Sequence, residues 1–274
     1  MDTENLNSNE QKINALDELF FNAFEVNDGK DFNEMLQFIN KFCYFSPFNA
    51  FLLYTQNQGL HIAMTRGKWS RYGRYIKPHS KAYVILVPFG PVDFVYVVLD
   101  TFGDNTFLNQ IPQELYDPFF TKGEMDSYLY NRLIENASAH SIFVKEREMF
   151  NAAAGFAASG DEYFLIEINN HWGLNEKFSS LVHELAHILT GHQGTLQNSF
   201  WDSRKHLSHE TKEIEAESIS YLVCSRLGLK PASEKYLSTY VKNQYEFSKI
   251  SLDKILTISG YIEQMLKPYF RPKK

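Results

Sequence analysis

The segment "SSLVHELAHILTGH", residues 179–192, contains two histidines four positions apart and a glutamate directly after the first. Residues four apart in a helix lie one above the other on the same face, so His183 and His187 can present both imidazoles to one ion. Glu184 then lies beside them, where a carboxylate can accept a proton from an activated water. The spacing is that of the HExxH motif, and it predicts hydrolysis assisted by a bound metal ion.

The same spacing can also arise by chance in a helix that has only a structural role, on the order of once per hundred chains of this length. In this helix the two histidines lie beside a core-facing apolar stripe, flanked by Ala186 and Ile188. Imidazoles buried there without a partner would be costly, which favours the metal interpretation. The stripe consists of Phe178, Leu181, Val182, Leu185 and Leu189.

A metal site of this kind needs a third protein ligand, and the segment "HETKEIEAESISYLVC", residues 209–224, offers three glutamates. At 100° per residue, Glu213 and Glu217 share a stripe of small side chains, which lets the helix approach another helix closely. The alternative is a solvated acidic helix start, since acidic residues favour the first turn. Glu215 lies on the apolar side of the helix and ranks last, but the residues alone do not separate the three. The small members of the stripe are Ala216, Ser220 and Cys224.

The segments "HELAHILTGH" and "EIEAESISYLV" resemble the zinc peptidase domain of the ImmA/IrrE and ArdC proteins, of gluzincin type. The resemblance implies one Zn²⁺ ion held by His183, His187 and Glu213. It implies that Glu184 is the general base and that Glu217 orients a ligating histidine.

A peptidase of this type also needs a place for its substrate and a group that stabilises the oxyanion. The strand "YFLIEIN", residues 163–169, resembles the edge strand that precedes the metal helix in such folds, which implies that it can hold an extended peptide. The candidates for oxyanion stabilisation are Tyr221, His192, His206 and His209.

A second segment with potential chemistry, residues 61–92, contains no acidic residue although the whole chain has a net charge of −6. Cations that follow a phosphate backbone, with rings on which bases stack, are typical of single-strand binding. The alternative is a solvated basic loop whose aromatic residues are core. The candidates for phosphate contacts are Arg66, Lys68, Arg71, Arg74 and Lys77, and those for stacking are Trp69 and Tyr72.

The N-terminal half carries a second resemblance. The segments "SPFNAFLLYTQNQG" and "GKWSRYGRYIKPHSKAYVILVP" resemble the N-terminal domain of ArdC-type antirestriction proteins. This implies that residues 1–122 bind single-stranded DNA and that residues 123–274 form a zincin-like peptidase domain. The combined function implied is that of a protein that serves a mobile element or phage, either in antirestriction or by cleaving a regulator. The alternative is a DNA-shielding protein that does not cleave and whose metal is structural.

The composition sets the class of protein. The chain has 274 residues, of which 44% are hydrophobic and 22% charged, as in soluble globular proteins. Cys43 and Cys224 stand outside any CxxC spacing, which argues against a disulfide framework and a cysteine-bound zinc. The first residues lack the features of a signal peptide, and no apolar run is long enough to cross a bilayer. We therefore expect a cytoplasmic protein that does not associate with membranes.

The apolar patterns predict an α+β fold. In the first domain we expect disorder over residues 1–9, then helical segments and a β-hairpin that turns at Gly90–Pro91. In the second we expect a small β-sheet and the active-site helices. The predicted helices are 10–26, 31–43, 47–58, 124–139, 175–190, 209–228, 233–246 and 250–267, and the predicted strands are 82–89, 94–102, 141–146 and a hairpin over 153–169.

Overall fold

In the computed structural model, the described residues are 29–87, 90–103, 106, 123–148, 155–159, 162–230 and 249–273. The chain divides into two compact units, an N-terminal unit of residues 34–121 and a C-terminal unit of residues 122–274, with which residues 29–33 are grouped. Helices and small sheets occur in both units, and the predicted α+β class is confirmed.

The elements up to residue 103 form two small antiparallel sheets with helices beside them. Strand order is β1-β4-β3 in one sheet and β2-β5 in the other. The elements are α1 (Gly29–Lys41), α2 (Pro47–Gln56), β1 (Ala63–Thr65), α3 (Arg66–Arg71), β2 (Arg74–Ile76), β3 (Tyr83–Val87), β4 (Gly90–Val97), a 3-10 turn (Val98–Asp100) and β5 (Thr101–Gly103).

Two amide side chains of α2 cover the free edge of β3. The Asn49 side chain accepts from the backbone N–H of Leu86 and donates to its carbonyl, both at 2.9 Å. The Gln56 side chain makes the same pair of bonds with Val84, at 2.8 and 2.9 Å. An uncovered edge strand invites pairing with another chain, so these amides take the place of a further strand. Helix α2 itself begins where predicted, with the Ser46 hydroxyl accepting from the Asn49 N–H and a proline in its first turn.

The predicted hairpin of β3 and β4 is present, but its turn lies earlier than predicted. Gly90 and Pro91 are the first residues of β4, and Gly90 pairs with Val87. Proline is tolerated there because β1 reaches only residues 95–97 of β4, so Pro91 needs no N–H on that side.

The C-terminal unit combines a three-stranded sheet with four helices among its described residues. Two predicted helices, 10–26 and 233–246, and the predicted disorder over 1–9 lie outside the described residues. The elements are α4 (Ser127–Ser138), β6 (Ile142–Arg147), β7 (Gly155–Ser159), β8 (Phe164–Asn169), α5 (Leu174–Leu189), α6 (His209–Arg226) and α7 (Leu252–Met265).

Strand β8 is central, and its prediction as an edge strand was wrong. It pairs in parallel with β6 and antiparallel with β7, so both of its edges are occupied. Alternate residues such as Phe164 and Ile166 are buried, as in any strand with one face in the core. That pattern reports which face is buried but not which neighbours pair, and the parallel partner is more than 20 residues away in sequence. An extended peptide cannot add to β8.

Helices α5 and α6 form the centre of the C-terminal unit. The small-residue stripe of α6 does allow close packing, as predicted: the Ser220 hydroxyl donates to the Ser179 carbonyl of α5 at 3.3 Å. The Cys224 thiol is buried beside the same serines, and burial raises its pKa to about 12. Within the described ranges, no helix combines the length and apolarity needed to cross a membrane.

Candidate metal centre

Helix α5 brings the two histidines of the motif together. The Nε2 atoms of His183 and His187 lie 3.1 Å apart. His187 is buried, and His183 is partly accessible. The spacing of four residues thus produces the geometry expected from one helical turn.

Helix α6 presents Glu213 to this pair. Its Oε1 lies 3.3 Å from Nε2 of His187, and its Oε2 lies 3.6 Å from Nε2 of His183. The helix is fixed at its start by Ser208, whose hydroxyl accepts from the Thr211 N–H at 3.1 Å. His183, His187 and Glu213, called the triad below, form a group whose ligand atoms all lie within 4.8 Å of one another.

The triad fits a single divalent ion. A tetrahedral ion with bonds of about 2.0–2.1 Å needs ligand atoms about 3.3 Å apart. The two Nε2 atoms lie 3.1 Å apart, and Glu213 lies near that distance from each ring with a different oxygen, Oε1 at 3.3 Å from His187 and Oε2 at 3.6 Å from His183. Two imidazole nitrogens and one carboxylate are also a donor set that suits Zn²⁺.

The protonation states of the triad suit metal binding. Burial lowers the pKa of His183 to about 4, helped by the neighbouring His187 and opposed by Glu213. Burial would raise the pKa of Glu213, but the contact with His187 and the electrostatic influence of His183 and His209 lower it below its ordinary value. At neutral pH the site therefore offers a neutral imidazole and a carboxylate, the forms that bind a metal.

Two other acidic residues of the predicted site lie close to the triad. Glu184 is partly buried on α5, directly after His183. Glu217 lies one turn beyond Glu213, and its Oε1 is 3.6 Å from Nδ1 of His183, the ring nitrogen that faces away from Glu213. That is where a residue that orients His183 must stand, although the separation is longer than a hydrogen bond.

A buried polar network behind His187 was missed by the sequence analysis. It consists of His192, Glu215 and Arg204, and it is called the support network below. Nδ1 of His192 lies 3.0 Å from Nδ1 of His187, and its Nε2 lies 2.9 Å from Oε2 of Glu215. Arg204 donates to both carboxylate oxygens of Glu215, at 2.6 and 2.7 Å. One signal was available: a carboxylate on the apolar side of a helix is rarely buried unless it is paired.

The candidates for oxyanion stabilisation occupy very different places. His192 is buried in the support network and is not available to a substrate. Tyr221 is buried on α6, and His206 is exposed in the loop before that helix. His209 is the one beside the triad: its exposed ring lies with Nδ1 3.5 Å from Oε1 of Glu213.

Two residues of the predicted nucleic-acid surface are buried inside the N-terminal unit. Trp69 has no exposed surface, and its indole N–H donates to the Tyr96 carbonyl at 2.8 Å, so it cannot stack on a base. Arg74 is buried, and its guanidinium donates to the side chain and carbonyl of Thr101. Both residues alternate with exposed ones in short elements, whose inward face the sequence does not reveal.

The other predicted residues of this surface are exposed or partly exposed. Arg66, Arg71 and Lys77 are exposed, and the Lys77 ammonium donates to the Leu99 carbonyl at 2.7 Å. Lys68 is partly buried over the Tyr44 ring, with 4.8 Å from its ammonium to the ring centroid. Tyr72 is partly buried against Trp69.

An exposed aromatic pair on β2 and β5 was not predicted. Tyr75 and Phe102 face each other across the two strands, with their ring centroids 5.9 Å apart. Their exposed fractions are 56% and 53%. Tyr75 belongs to the acid-free segment, but its partner comes from β5, which only the fold brings beside it.

Comparisons with known proteins add little to this picture. A scan against protein-family profiles finds no match, and a search of curated proteins finds no significant one. Among solved structures, the chain is similar to the metal-free antirestriction protein ArdC from plasmid R388, with 12% identity, coverage of 82% of this chain and 86% of that one, and a TM-score of 0.43. The Mn(II)-bound form of that protein gives 12%, 82%, 89% and 0.39.

Proposed function

We propose that the C-terminal unit is a zinc-dependent peptidase whose triad holds one Zn²⁺ ion. The observation that carries the proposal is the triad itself, which brings one ligand atom from each of three residues on two packed helices within 4.8 Å of one another. Glu184, next to a ligand on the same helix, adds the acid–base group that such chemistry needs. A purely structural zinc site usually has four protein ligands, whereas the described residues bring three together here, as in catalytic sites that keep a position for water.

Two residues of the chain have separate roles in the proposed hydrolysis. When bound, the ion supplies a Lewis acid that polarises a carbonyl and lowers the pKa of water. The Glu184 carboxylate accepts a proton from the attacking water and transfers it to the departing amine. His209, exposed beside Glu213, is the nearest candidate to stabilise the oxyanion.

The substitution Glu184→Gln tests this assignment because it keeps the shape of the side chain and removes the base. Zinc-loaded wild type should cleave members of a quenched-fluorescence peptide library, and the variant should retain zinc but lose about 10²–10⁴-fold in rate. Glu176→Gln, an exposed glutamate on the same helix, is the matched control. Full biological activity in Glu184→Gln would instead support the alternative, a DNA-shielding protein with a structural metal.

We also propose that the N-terminal unit binds single-stranded DNA. The support is an acid-free segment with exposed Arg66, Arg71 and Lys77, together with the exposed rings of Tyr75 and Phe102. Cations attract the phosphates, and rings stack on bases without regard to sequence. We assign base stacking to Tyr75 and Phe102, since Trp69 is buried.

Binding of a fluorescent oligothymidine across a salt series tests this second proposal. Replacing Arg66 and Arg71 with alanine should lower the affinity and reduce the salt slope by about 0.7 for each lost phosphate contact. Tyr75→Ala should weaken binding by about 1–3 kcal/mol at all salt concentrations. Lys145→Ala, which removes an exposed cation from the other unit, is the control. Equal binding by all variants would contradict the proposed surface.

A further inference from the structure

The two ring nitrogens of His187 face different partners. Nε2 faces the other two members of the triad and lies 3.3 Å from Oε1 of Glu213. Nδ1 points to the support network, 3.0 Å from Nδ1 of His192. A histidine binds a metal through a nitrogen that carries no proton, so the partner of Nδ1 decides whether Nε2 is free to bind.

The far end of the network is a carboxylate held in its charged form. Glu215 has no exposed surface. Its Oε1 accepts from Arg204 at 2.7 Å and from the backbone N–H of Ser251 at 2.7 Å, and its Oε2 accepts from Arg204 at 2.6 Å. A buried carboxylate that accepts two hydrogen bonds from a guanidinium and one from a backbone N–H is stabilised in its ionised form.

The charge on Glu215 sets the direction of every hydrogen bond that follows. An ionised carboxylate only accepts, so Nε2 of His192 must donate to it. Arg204 already balances the charge of Glu215 through two hydrogen bonds, so a second cation on His192, whose side chain is 1% exposed, would be buried without a counter-charge. A neutral ring that donates from Nε2 accepts at Nδ1, so Nδ1 of His187 must be the donor across the 3.0 Å contact. The lone pair of His187 is then left on Nε2, facing the triad.

The backbone is shaped to bring this network together. Gly191 has φ +84°, and a Cβ atom there would lie 1.9 Å from the Asp202 carbonyl oxygen. The turn at Gly191 lets the His192 N–H donate back to the His187 carbonyl at 2.9 Å, and the Gly191 carbonyl accepts from the Arg204 N–H at 2.8 Å. The same tight turn thus places both His192 and Arg204.

We infer that His192, Glu215 and Arg204 form a positioning network that fixes the tautomer of His187 and aims its Nε2 lone pair at the triad. The inference rests on the proposed metal site, but it concerns residues that touch neither metal nor substrate. Outer partners of this kind typically change metal affinity by about 10–100-fold when they are removed.

The test measures the His187 tautomer and zinc affinity in parallel. Long-range ¹H–¹⁵N NMR of the metal-free wild type should show His187 protonated on Nδ1. In Glu215→Gln the side chain can either donate or accept, so the tautomer should become mixed, and Zn²⁺ affinity measured by competition with a chelator should fall about 10–100-fold. The visible spectrum of bound Co²⁺ should change as well, because the ligand geometry is no longer fixed.

A matched control separates positioning from general destabilisation. Arg226 and Glu263 form another Arg–Glu pair in the same unit, with 2.5 Å between Nε and Oε1. Glu263→Gln should lower the free energy of unfolding without changing the His187 tautomer, the Zn²⁺ affinity or the Co²⁺ spectrum. An unchanged tautomer and affinity in Glu215→Gln, or equal losses in Glu263→Gln, would overturn the inference.

If Glu215→Gln does not fold, two other measurements still test the inference. A wild-type His187 protonated on Nε2 in the metal-free protein would overturn it without any variant. His192→Phe, which removes both nitrogens at a buried site, should also lose the Nδ1–H tautomer of His187. Failure of wild type to bind Zn²⁺ would refute the proposed function, whereas the tautomer of the metal-free protein tests the network independently.

Discussion

The metal triad and the basic segment of residues 61–92 were both deduced from residue types and spacing, yet the structure treats them differently. In the triad, the two histidines selected by spacing lie with their Nε2 atoms 3.1 Å apart, beside Glu213, one of the three glutamates that the residues left open. In the basic segment, Trp69 and Arg74 are buried. The difference lies in the elements: α5 has 16 residues and imposes one periodicity, whereas α3 has six residues and β2 has three.

Spacing therefore predicts a site when one regular element carries it, and it fails when several short elements share the segment. A four-residue interval on a long helix fixes a common face whatever surrounds it. In a three-residue strand, a shift of one position moves each side chain to the opposite face.

The largest effect is expected for the triad. His187→Ala removes a ligand, so Zn²⁺ affinity should fall by more than the roughly 10–100-fold typical of outer partners. His206→Ala removes an exposed histidine from the same unit and should leave affinity unchanged. Isothermal titration with Zn²⁺ provides the measurement. Equal affinities for the two variants would mean that the helical spacing did not create a metal site.

The next effect concerns the buried tryptophan of the basic segment. Trp69→Ala should lower the free energy of unfolding by about 3–5 kcal/mol, because a large side chain leaves a cavity. Tyr75→Ala, at an exposed position of the same segment, should change it by less than about 0.5 kcal/mol. Urea denaturation measures both. A small effect of Trp69→Ala would contradict the burial of Trp69 and would make this residue a stacking candidate again.

The same substitution, glycine to alanine, can be compared at one position in each unit. Gly191→Ala places a Cβ on the Asp202 carbonyl at positive φ and should cost at least about 1–3 kcal/mol. Gly67 lies in α3 with open space around its Cβ position, so Gly67→Ala should stabilise by up to about 1 kcal/mol. Thermal unfolding of the metal-free protein should show opposite shifts in Tm, and a neutral Gly191→Ala would contradict the tight turn.

The smallest effect is a pH dependence of the metal-free protein. Folding lowers the pKa of His183 from 6.5 to about 4, so the unfolded chain binds a proton first as the pH falls. The stability contribution of His183 is complete above about pH 6.5 and decreases between pH 6.5 and 4. His183→Gln should flatten that part of the stability–pH curve. An identical curve for the variant would show that His183 is not buried as a neutral ring.

Local periodicity predicted the α+β class, the helices of the site and the pair of His183 and His187, whereas the choice of Glu213 came from the family resemblance. Strand β8 was predicted at the edge of its sheet, since the pairing of β6 with β8 is a long-range contact without a local signature. Glu215 was left as the least favoured ligand without a role. The reason is that the partners of Glu215 come from a loop, whose path depends on the turn at Gly191.

The most direct test of the metal centre is anomalous diffraction at the zinc edge from crystals grown with one equivalent of Zn²⁺. We expect one strong peak within about 2.0–2.2 Å of Nε2 of His183, Nε2 of His187 and a carboxylate oxygen of Glu213. A peak elsewhere, or Glu213 turned away from an empty pair of imidazoles, would contradict the proposal that this protein holds a catalytic metal.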